Sequence, residues 1–496
     1  MLVPTAGSRN RRPPFRPLGA AVIAGLLACT AARAGAAEVE CRLTDPRGIA
    51  RFARVPAVAA AGDHLPVLVR VDPAVRYQSV VGFGYTLTGG SATHLAAMSS
   101  ERRRALLREL FATDGDGIGV SVLRLSIGAS DLDDRPFSYD DPPDGLPDPD
   151  LVHFSIAPDR RALLPVLREI LAIAPELFVM ASPWSPPAWM KTNGKTVGGE
   201  LRPEYHAAYA AYFVRYVEAL RNAGVRIAAV TVQNEPLHAG NNPSLSMPAA
   251  QQAAFVKHHL GPAFAKARLD TRILIYDHNC DRIDYPLAIL GDSEAKRWID
   301  GSAFHLYGGS IDALSAVHDA HPDRHVYFTE QWVGAPGDLA GDLVWHVREL
   351  SIGAMRHWSR TVLEWNLSSD PRLEPHTEGG CDRCLGAVTI DGDRVERQPA
   401  YYSIAHLSRF VRPGSVRIDS AGGPPALHHV AFAAPDGRLV AVLLNDGPRP
   451  LAVRIAEGDG APTASPSLPL PPGAVATIAW PAGDAAAARA AATPAR

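Results

Sequence analysis

The sequence predicts an α/β protein: a (β/α)8 TIM barrel with a side β-sandwich formed by N- and C-terminal segments. Three observations predict it. From Val80 to Leu367 short apolar strands alternate with helical stretches, the order that gives parallel strands. Eight such units fit into about 290 residues, near the ~250 typical of this barrel. The segments on either side read as short strands divided by turn residues.

The strands are expected at Val80–Gly84, Val120–Ile127, Leu177–Ser182, Ile227–Gln233, Arg272–Asp277, Ser302–His305, Val326–Thr329 and Thr361–Trp365. Helices are expected at Ser99–Phe111, Asp159–Ile173, Pro203–Ala223, Ala249–Arg268 and Gly341–Ser359. In the third, Tyr209, Tyr212, Phe213, Tyr216, Val217 and Leu220 recur at helical spacing, which predicts packing against the barrel. A doubly wound open sheet is the alternative. However, Gly82-Phe83-Gly84 lacks the later glycine and the acidic partner of a dinucleotide loop. Outside the barrel, strands are expected at Leu65–Val71, Ser415–Ile418, Ala426–Ala433, Leu439–Leu444, Leu451–Ile455 and Ala474–Ala479. Asp436-Gly437 and Asn445-Asp446-Gly447 are hairpin signals between them. The resulting plan is sandwich strands in 38–78, barrel in 79–397, the rest of the sandwich in 398–483, and an Ala-rich disordered tail in 484–496.

Composition bounds the partners. The chain has 496 residues, 47% hydrophobic and 20% charged, with a net charge of −3. That balance gives nucleic acid or an anionic membrane nothing to hold. Arg9, Arg11, Arg12 and Arg16 precede an apolar stretch from Leu18 to Cys29 and then A-x-A patterns at 32–36. This predicts a signal peptide over 1–36, too short for a stable membrane span. Leu26-Leu27-Ala28-Cys29 also resembles a lipoprotein box, which would leave a lipid anchor on Cys29. Both readings predict export, to the periplasm, the extracellular space or the outer membrane. Past Cys29, Cys41, Cys280, Cys381 and Cys384 remain. Cys381-Asp382-Arg383-Cys384 is open to a zinc half-site, a redox pair or a local disulfide. With no second Cys/His pair nearby, a disulfide clasp suits an exported chain best. Cys280, beside His278, reads as a half-buried strand-end cysteine rather than a nucleophile.

Strand ends carry the chemistry of a TIM barrel. Thr231-Val232-Gln233-Asn234-Glu235-Pro236 and Val326-Tyr327-Phe328-Thr329-Glu330-Gln331-Trp332 are apolar runs that each stop at a glutamate. A buried acid without compensation is costly, so two of them predict a facing pair. Such a pair is the equipment of glycoside hydrolysis. Around it the same rule places Arg124, Trp184, Asn234, Asp277, His278, Asn279, His305, Tyr307, Trp332, Trp365 and Asn366. Aromatic faces suit the C–H faces of a pyranose, and polar groups suit its hydroxyls. In a retaining mechanism Glu330 would be the nucleophile and Glu235 the acid/base, with Arg124 favouring the ionised nucleophile and Asn234 holding the sugar 2-hydroxyl.

The runs Gly82-Phe83-Gly84, Arg124-Leu125-Ser126-Ile127, Ser182 to Gly194, Gln233-Asn234-Glu235-Pro236, His305-Leu306-Tyr307, Thr329-Glu330, Trp365-Asn366-Leu367 and Gln398 to Tyr402 occur in one order. In these the chain resembles glycoside hydrolase family 30, which holds acid β-glucosidases (glucosylceramidases) and bacterial β-1,6-glucanases. The resemblance implies a barrel with a side sandwich, retention, Glu235 as acid/base and Glu330 as nucleophile. It also implies sugar contacts by Arg124, Trp184, Asn234, His305, Tyr307 and Trp365, with no metal or cofactor. One departure matters. The glucosylceramidase pattern ends in Thr-Asp after the first strand, where this chain has Thr88-Gly89. Ceramide glucoside therefore does not follow as substrate. A β-glucoside or β-glucan does, with β-1,6-glucanase action as the alternative to glucosidase action.

Readings of other classes fit the residues less well. A divalent-metal enzyme would need further converging carboxylates, and Asp277 is the obvious extra one. A non-catalytic carbohydrate-binding protein would have lost one acid, and both are present. Arg124 and His305 also admit structural readings, as an interior ion-pair partner and a core histidine.

Overall fold

The computed structural model describes residues 39–56, 67–458 and 467–483. The expected signal peptide, the start of the Leu65–Val71 strand and the tail from 484 lie outside the described residues.

Eight parallel strands close the barrel: β1 (Gly82–Thr86), β2 (Val122–Ser126), β3 (Phe178–Ser182), β4 (Ile227–Thr231), β5 (Arg272–Asn279), β6 (Ile299–His305), β7 (His325–Glu330) and β8 (Ser359–Asn366). Each lies where the apolar runs placed it, with shifted ends. The shift that matters is in β4. It stops at Thr231, so Glu235 stands beyond the strand on an irregular connection rather than at its tip. Two expected helices also divide. Ala249–Phe255 passes through a widened turn, Val256–Leu260, before Gly261–Lys266. Leu339–His346 likewise runs into Val347–Ala354. In the first case Pro262 has no N–H to return to the preceding turn.

The two-residue period of a strand builds the barrel interior in layers. Val122, Met180, Ala229, Leu274, Ala303, Tyr327 and Leu363 form one buried apolar layer, one residue from each of β2 to β8. Two residues further along most of these strands stand Arg124, Ser182, Thr231, His305, Thr329 and Trp365. A dry floor thus supports a polar layer. Strand β5 breaks the count. A register shift between Tyr276 and His278, with φ of 72° at Tyr276 and 61° at Asp277, brings Asp277 into the polar layer. Gly84 is required where β1 meets β2, because a Cβ there would lie 1.9 Å from the Val122 carbonyl oxygen.

The flanking segments form one nine-stranded sheet. Its order runs Ala53–Arg54, Glu40–Thr44, Val475–Pro481, Arg438–Asn445, Leu427–Ala433, Val416–Ala421, Val67–Ser79, Leu451–Glu457, Ser467–Leu470. Cys41 and Leu470, from opposite ends of that order, share one core with Val69, Ile418, Leu443 and Ile478, so the sheet closes on itself as a sandwich. The buried helix Pro399–Ser408 joins sandwich to barrel. His406 hydrogen-bonds Thr477 and Thr44, while the Ser403 hydroxyl meets that of Ser351.

Candidate active site

The polar layer converges on Asp277. Its Oδ2 accepts from Arg124 Nη2 at 2.8 Å, Ser182 Oγ at 2.8 Å and Thr231 Oγ1 at 2.7 Å. Its Oδ1 accepts from Thr329 Oγ1 at 2.7 Å and faces His305 Nε2 at 3.1 Å. Burial would raise this carboxyl, but Arg124 and His305 outweigh it and hold it well below the usual carboxylate range. Asp277 is fully buried. It orients the groups above it.

Arg124 reaches from this hub to the groups above it. Nη1 donates to Glu330 Oε2 at 2.5 Å, and Nη2 to Asn234 Oδ1 at 2.7 Å. Its guanidinium lies 4.8 Å from the Trp184 ring and 5.8 Å from the Trp365 ring, and the two rings stand 5.3 Å apart. Glu330 Oε1 takes a second hydrogen bond from the Tyr307 hydroxyl at 3.0 Å. Tyr307 is 39% exposed through its ring, while its hydroxyl is turned inward.

Glu235 meets this set through His305. Its Oε1 lies 3.1 Å from His305 Nδ1, and Glu330 Oε1 lies 3.7 Å from the same nitrogen. The two glutamates thus face one another over a single atom. Glu235 has φ of 45°, an unusual conformation for a glutamate, and its N–H donates to the Asp277 carbonyl at 3.0 Å. The neighbouring Asn234 N–H donates to Pro183 O at 2.8 Å. The connection after β4 is therefore pinned to the ends of β3 and β5.

Three charges govern the protons. Burial lowers the pKa of His305, but the charge of Glu330 and the bonds to Asp277 and Glu235 push it up to about 10. Burial raises Glu235, and the His278 and His305 imidazoles prevail in lowering it. Burial raises Glu330, with His305 and Arg124 opposing and the charge of Glu235 reinforcing. With Arg124 and His305 cationic and Asp277 anionic, the buried cluster is neutral when the two glutamates share one further proton.

All eight residues expected from sequence, Glu235, Glu330, Arg124, Trp184, Asn234, His305, Tyr307 and Trp365, come together here. The pocket above them holds about 410 Å³. Several of its walls were not expected. Asp131, from the loop after β2, brings a buried carboxylate into it. Burial and the nearby Glu330 push that carboxyl up to about 7, against a hydrogen bond from the Cys381 N–H. The acidic run Ser130-Asp131-Leu132-Asp133-Asp134 directly after a barrel strand was the signal for it. Position 89 lies elsewhere. A Cβ on Gly89 would stand 1.7 Å from Asp133 Oδ1, in a neighbouring cavity. The Thr88-Gly89 departure therefore leaves the pocket a carboxylate, supplied by Asp131.

Cys381 and Cys384 form the disulfide expected of them and line the pocket beside Trp332. The Cys280 thiol donates to His305 O at 3.2 Å, and burial raises it far from reactivity. His278 lines the pocket with its Nδ1 3.6 Å from Glu235 Oε1. Among the described residues, Glu235, His278 and His305 are the group whose ligand atoms lie within 4.8 Å of one another. No helix among the described residues is long and apolar enough to cross a membrane.

A closed parallel barrel whose mouth presents two facing carboxylates among tryptophans and hydrogen-bonding groups defines a glycoside hydrolase. The chain belongs to glycosyl hydrolase family 30: that family's TIM-barrel domain matches residues 80–411 and its beta sandwich domain residues 414–478. It is similar to the endo-1,6-beta-D-glucanase neg1 of Aspergillus fumigatus, 33% identical over 394 residues, which cover 74% of this chain and 78% of that one. It is similar to the lysosomal acid glucosylceramidase of Mus musculus, 29% identical over 433 residues and 82% of each chain. A solved endo-beta1,6-glucanase structure superposes with a TM-score of 0.84 at 34% identity, covering 90% of this chain and 99% of that one.

Proposed function

We propose that the chain is an exported, retaining β-glycosidase whose substrate is a β-1,6-linked glucan, with Glu330 as nucleophile and Glu235 as acid/base. The observation that carries the mechanism is the shared neighbour of the two acids, His305 Nδ1, at 3.1 and 3.7 Å. Oxygens so placed fit the about 5–5.5 Å separation of retaining enzymes, not the upper part of the 6.5–9.5 Å range of inverting ones.

In the first step a Glu330 oxygen bonds to the anomeric carbon as the glycosidic C–O bond breaks. Glu235 gives its proton to the departing oxygen. In the second step Glu235 takes a proton from water, the water oxygen bonds to the anomeric carbon, and the ester to Glu330 is released. Arg124 and Tyr307 donate to the Glu330 carboxylate, and Arg124 opposes the rise that burial and the charge of Glu235 impose on it. The proton that Glu235 needs comes from its own hydrogen bond. With Nε2 turned to Asp277, His305 can pass the Nδ1 proton to Glu235 and remain a neutral acceptor. Asn234, fixed by Arg124, faces the sugar 2-hydroxyl, and the Trp184 and Trp365 rings face its carbons. Asp131 accepts from outer hydroxyls.

Glu235→Ala should lose activity on natural glucans yet keep more on substrates with good leaving groups. Azide should restore turnover by forming a β-glycosyl azide, which NMR of the product detects. Absence of both effects removes Glu235 from the role.

The relatives named as endo-1,6-beta-glucanases support the linkage. Product analysis on β-1,6-, β-1,3- and β-1,4-glucans, glucosylceramide and an aryl β-glucoside should show fastest cleavage of the β-1,6-glucan. Faster release from glucosylceramide overturns the substrate and leaves the mechanism standing. Export rests on the N-terminal Arg-rich and apolar pattern.

A further inference from the structure

We infer that Glu235, His278 and His305 form a binding site for a divalent transition metal of the zinc type, and that its occupation reversibly switches the enzyme off. The switching half rests on Glu235 being the acid/base; the binding half does not.

The ligand atoms are already assembled. Glu235 Oε1 stands 3.1 Å from His305 Nδ1 and 3.6 Å from His278 Nδ1, and one ligand atom from each of the three residues lies within 4.8 Å of the other two. A tetrahedral zinc with bonds of about 2.0–2.1 Å separates its ligand atoms by about 3.3–3.4 Å. The two carboxylate–imidazole distances, 3.1 and 3.6 Å, bracket that spacing. Two imidazoles and one glutamate are also the ligand set of a recurrent zinc site with an open fourth position. Here the fourth position faces the pocket, where water or a sugar hydroxyl can occupy it.

Two independent observations point to a ligand. His278 Nδ1 is buried and without a hydrogen-bond partner, although it is aimed at Glu235. Its neighbour Glu235 Oε1, at 3.6 Å, is beyond hydrogen-bond distance, and a metal placed between the two would satisfy both atoms. Behind His305, Asp277 Oδ1 lies 3.1 Å from Nε2. A carboxylate behind the ring fixes the tautomer that leaves Nδ1 free to ligate and raises its basicity. Asp277 is itself held by Arg124, Ser182, Thr231 and Thr329, so this support is rigid. The Glu330 carboxyl is also close, its Oε1 3.7 Å from His305 Nδ1.

Binding is an exchange. The metal takes the Glu235 and His305 lone pairs, and the proton those two groups share leaves to solvent. A metal-bound Glu235 has no proton for the departing oxygen, so turnover stops until a chelator removes the ion.

The test uses the metal-free full chain with zinc chloride alone, followed by calorimetry, with cobalt chloride followed by visible absorption, and with a β-1,6-glucan, whose poor leaving group needs the acid, for turnover. The expected result is one ion per chain, tetrahedral cobalt bands, inhibition reversed by EDTA, and binding at least tenfold weaker in His278→Ala and in Glu235→Gln. His278→Gln serves as a second variant, and unfolding curves confirm that each variant is folded. Binding that is absent in the parent, or equally tight in both His278 variants, overturns the site. Zinc that binds through His278 but leaves turnover unchanged upholds the site and overturns both the switch and the role given to Glu235.

Discussion

Glu330→Gln is expected to reduce kcat on the order of 10⁴-fold or more while leaving the fold intact. The amide has nearly the shape of the carboxylate. Its oxygen can keep the Arg124 Nη1 hydrogen bond made by Oε2, and its NH₂ can face the Tyr307 hydroxyl, which accepts as readily as it donates. What the amide cannot do is form the ester with the anomeric carbon. The double displacement then has no first step, and good leaving groups or added azide should not help. This separates the variant from Glu235→Ala, where both help. The measurement is steady-state hydrolysis of an aryl β-glucoside alongside a thermal unfolding curve. Activity within tenfold of the parent, with the unfolding midpoint unchanged, removes Glu330 from the chemistry.

Asp277→Ala should be the most destabilising single change in the polar layer, by about 3–5 kcal/mol. The reason is what it strands. Arg124 and His305 are completely buried, and Asp277 is the anion both of them face in the floor of the site. Three hydroxyls, from Ser182, Thr231 and Thr329, lose their acceptor together. Arg124 keeps Glu330 and His305 keeps Glu235, but each buried cation loses its fully buried partner, which costs far more than an exposed ion pair gains. Activity should fall as well, because Arg124 then no longer holds Glu330 and Asn234 in register. Asp277→Asn, which keeps the shape and one acceptor oxygen, should be milder on stability. Urea unfolding of the two variants against the parent makes the comparison. A loss of less than 1 kcal/mol in Asp277→Ala would mean that the hub is not what holds the layer together.

Much of this was legible in the chain before folding. The alternation of apolar runs with helical stretches marks the barrel, because each strand must be buried on both faces and each helix on one. Glutamates closing two such runs mark a facing pair, because a buried acid needs a partner, although Glu235 stands past the end of β4 and not at its tip. The long run from Ser182 to Gly194 shows its purpose in Lys191. That lysine is buried and donates to Ser185 Oγ, Thr196 O and Ser244 O, tying the loops after β3 and β4 into one wall.

Other features depend on distances that no local pattern encodes. A strand period of two assigns Tyr276 to the barrel interior, and only the shift at the end of β5 turns Asp277 there instead. The sequence therefore shows Asp277 as one strand-end acid among several, while the folded chain makes it the centre of five hydrogen-bonding groups. Asp131 and the Cys381–Cys384 disulfide meet at one pocket although 250 residues separate Asp131 from Cys381. Loops obey no periodicity, so their meeting is decided by where the strands beneath them end.

The amino-acid order by itself thus determined the architecture, the two acids and the residues that gather around them, since burial period and strand-end position are local properties. Tertiary structure alone decided which carboxylate anchors Arg124, that Asp131 enters the pocket while position 89 lies outside it, and that His278 and His305 both stand beside Glu235. Each of those depends on a backbone irregularity or a loop crossing, whose energy is set by neighbours far away in the chain.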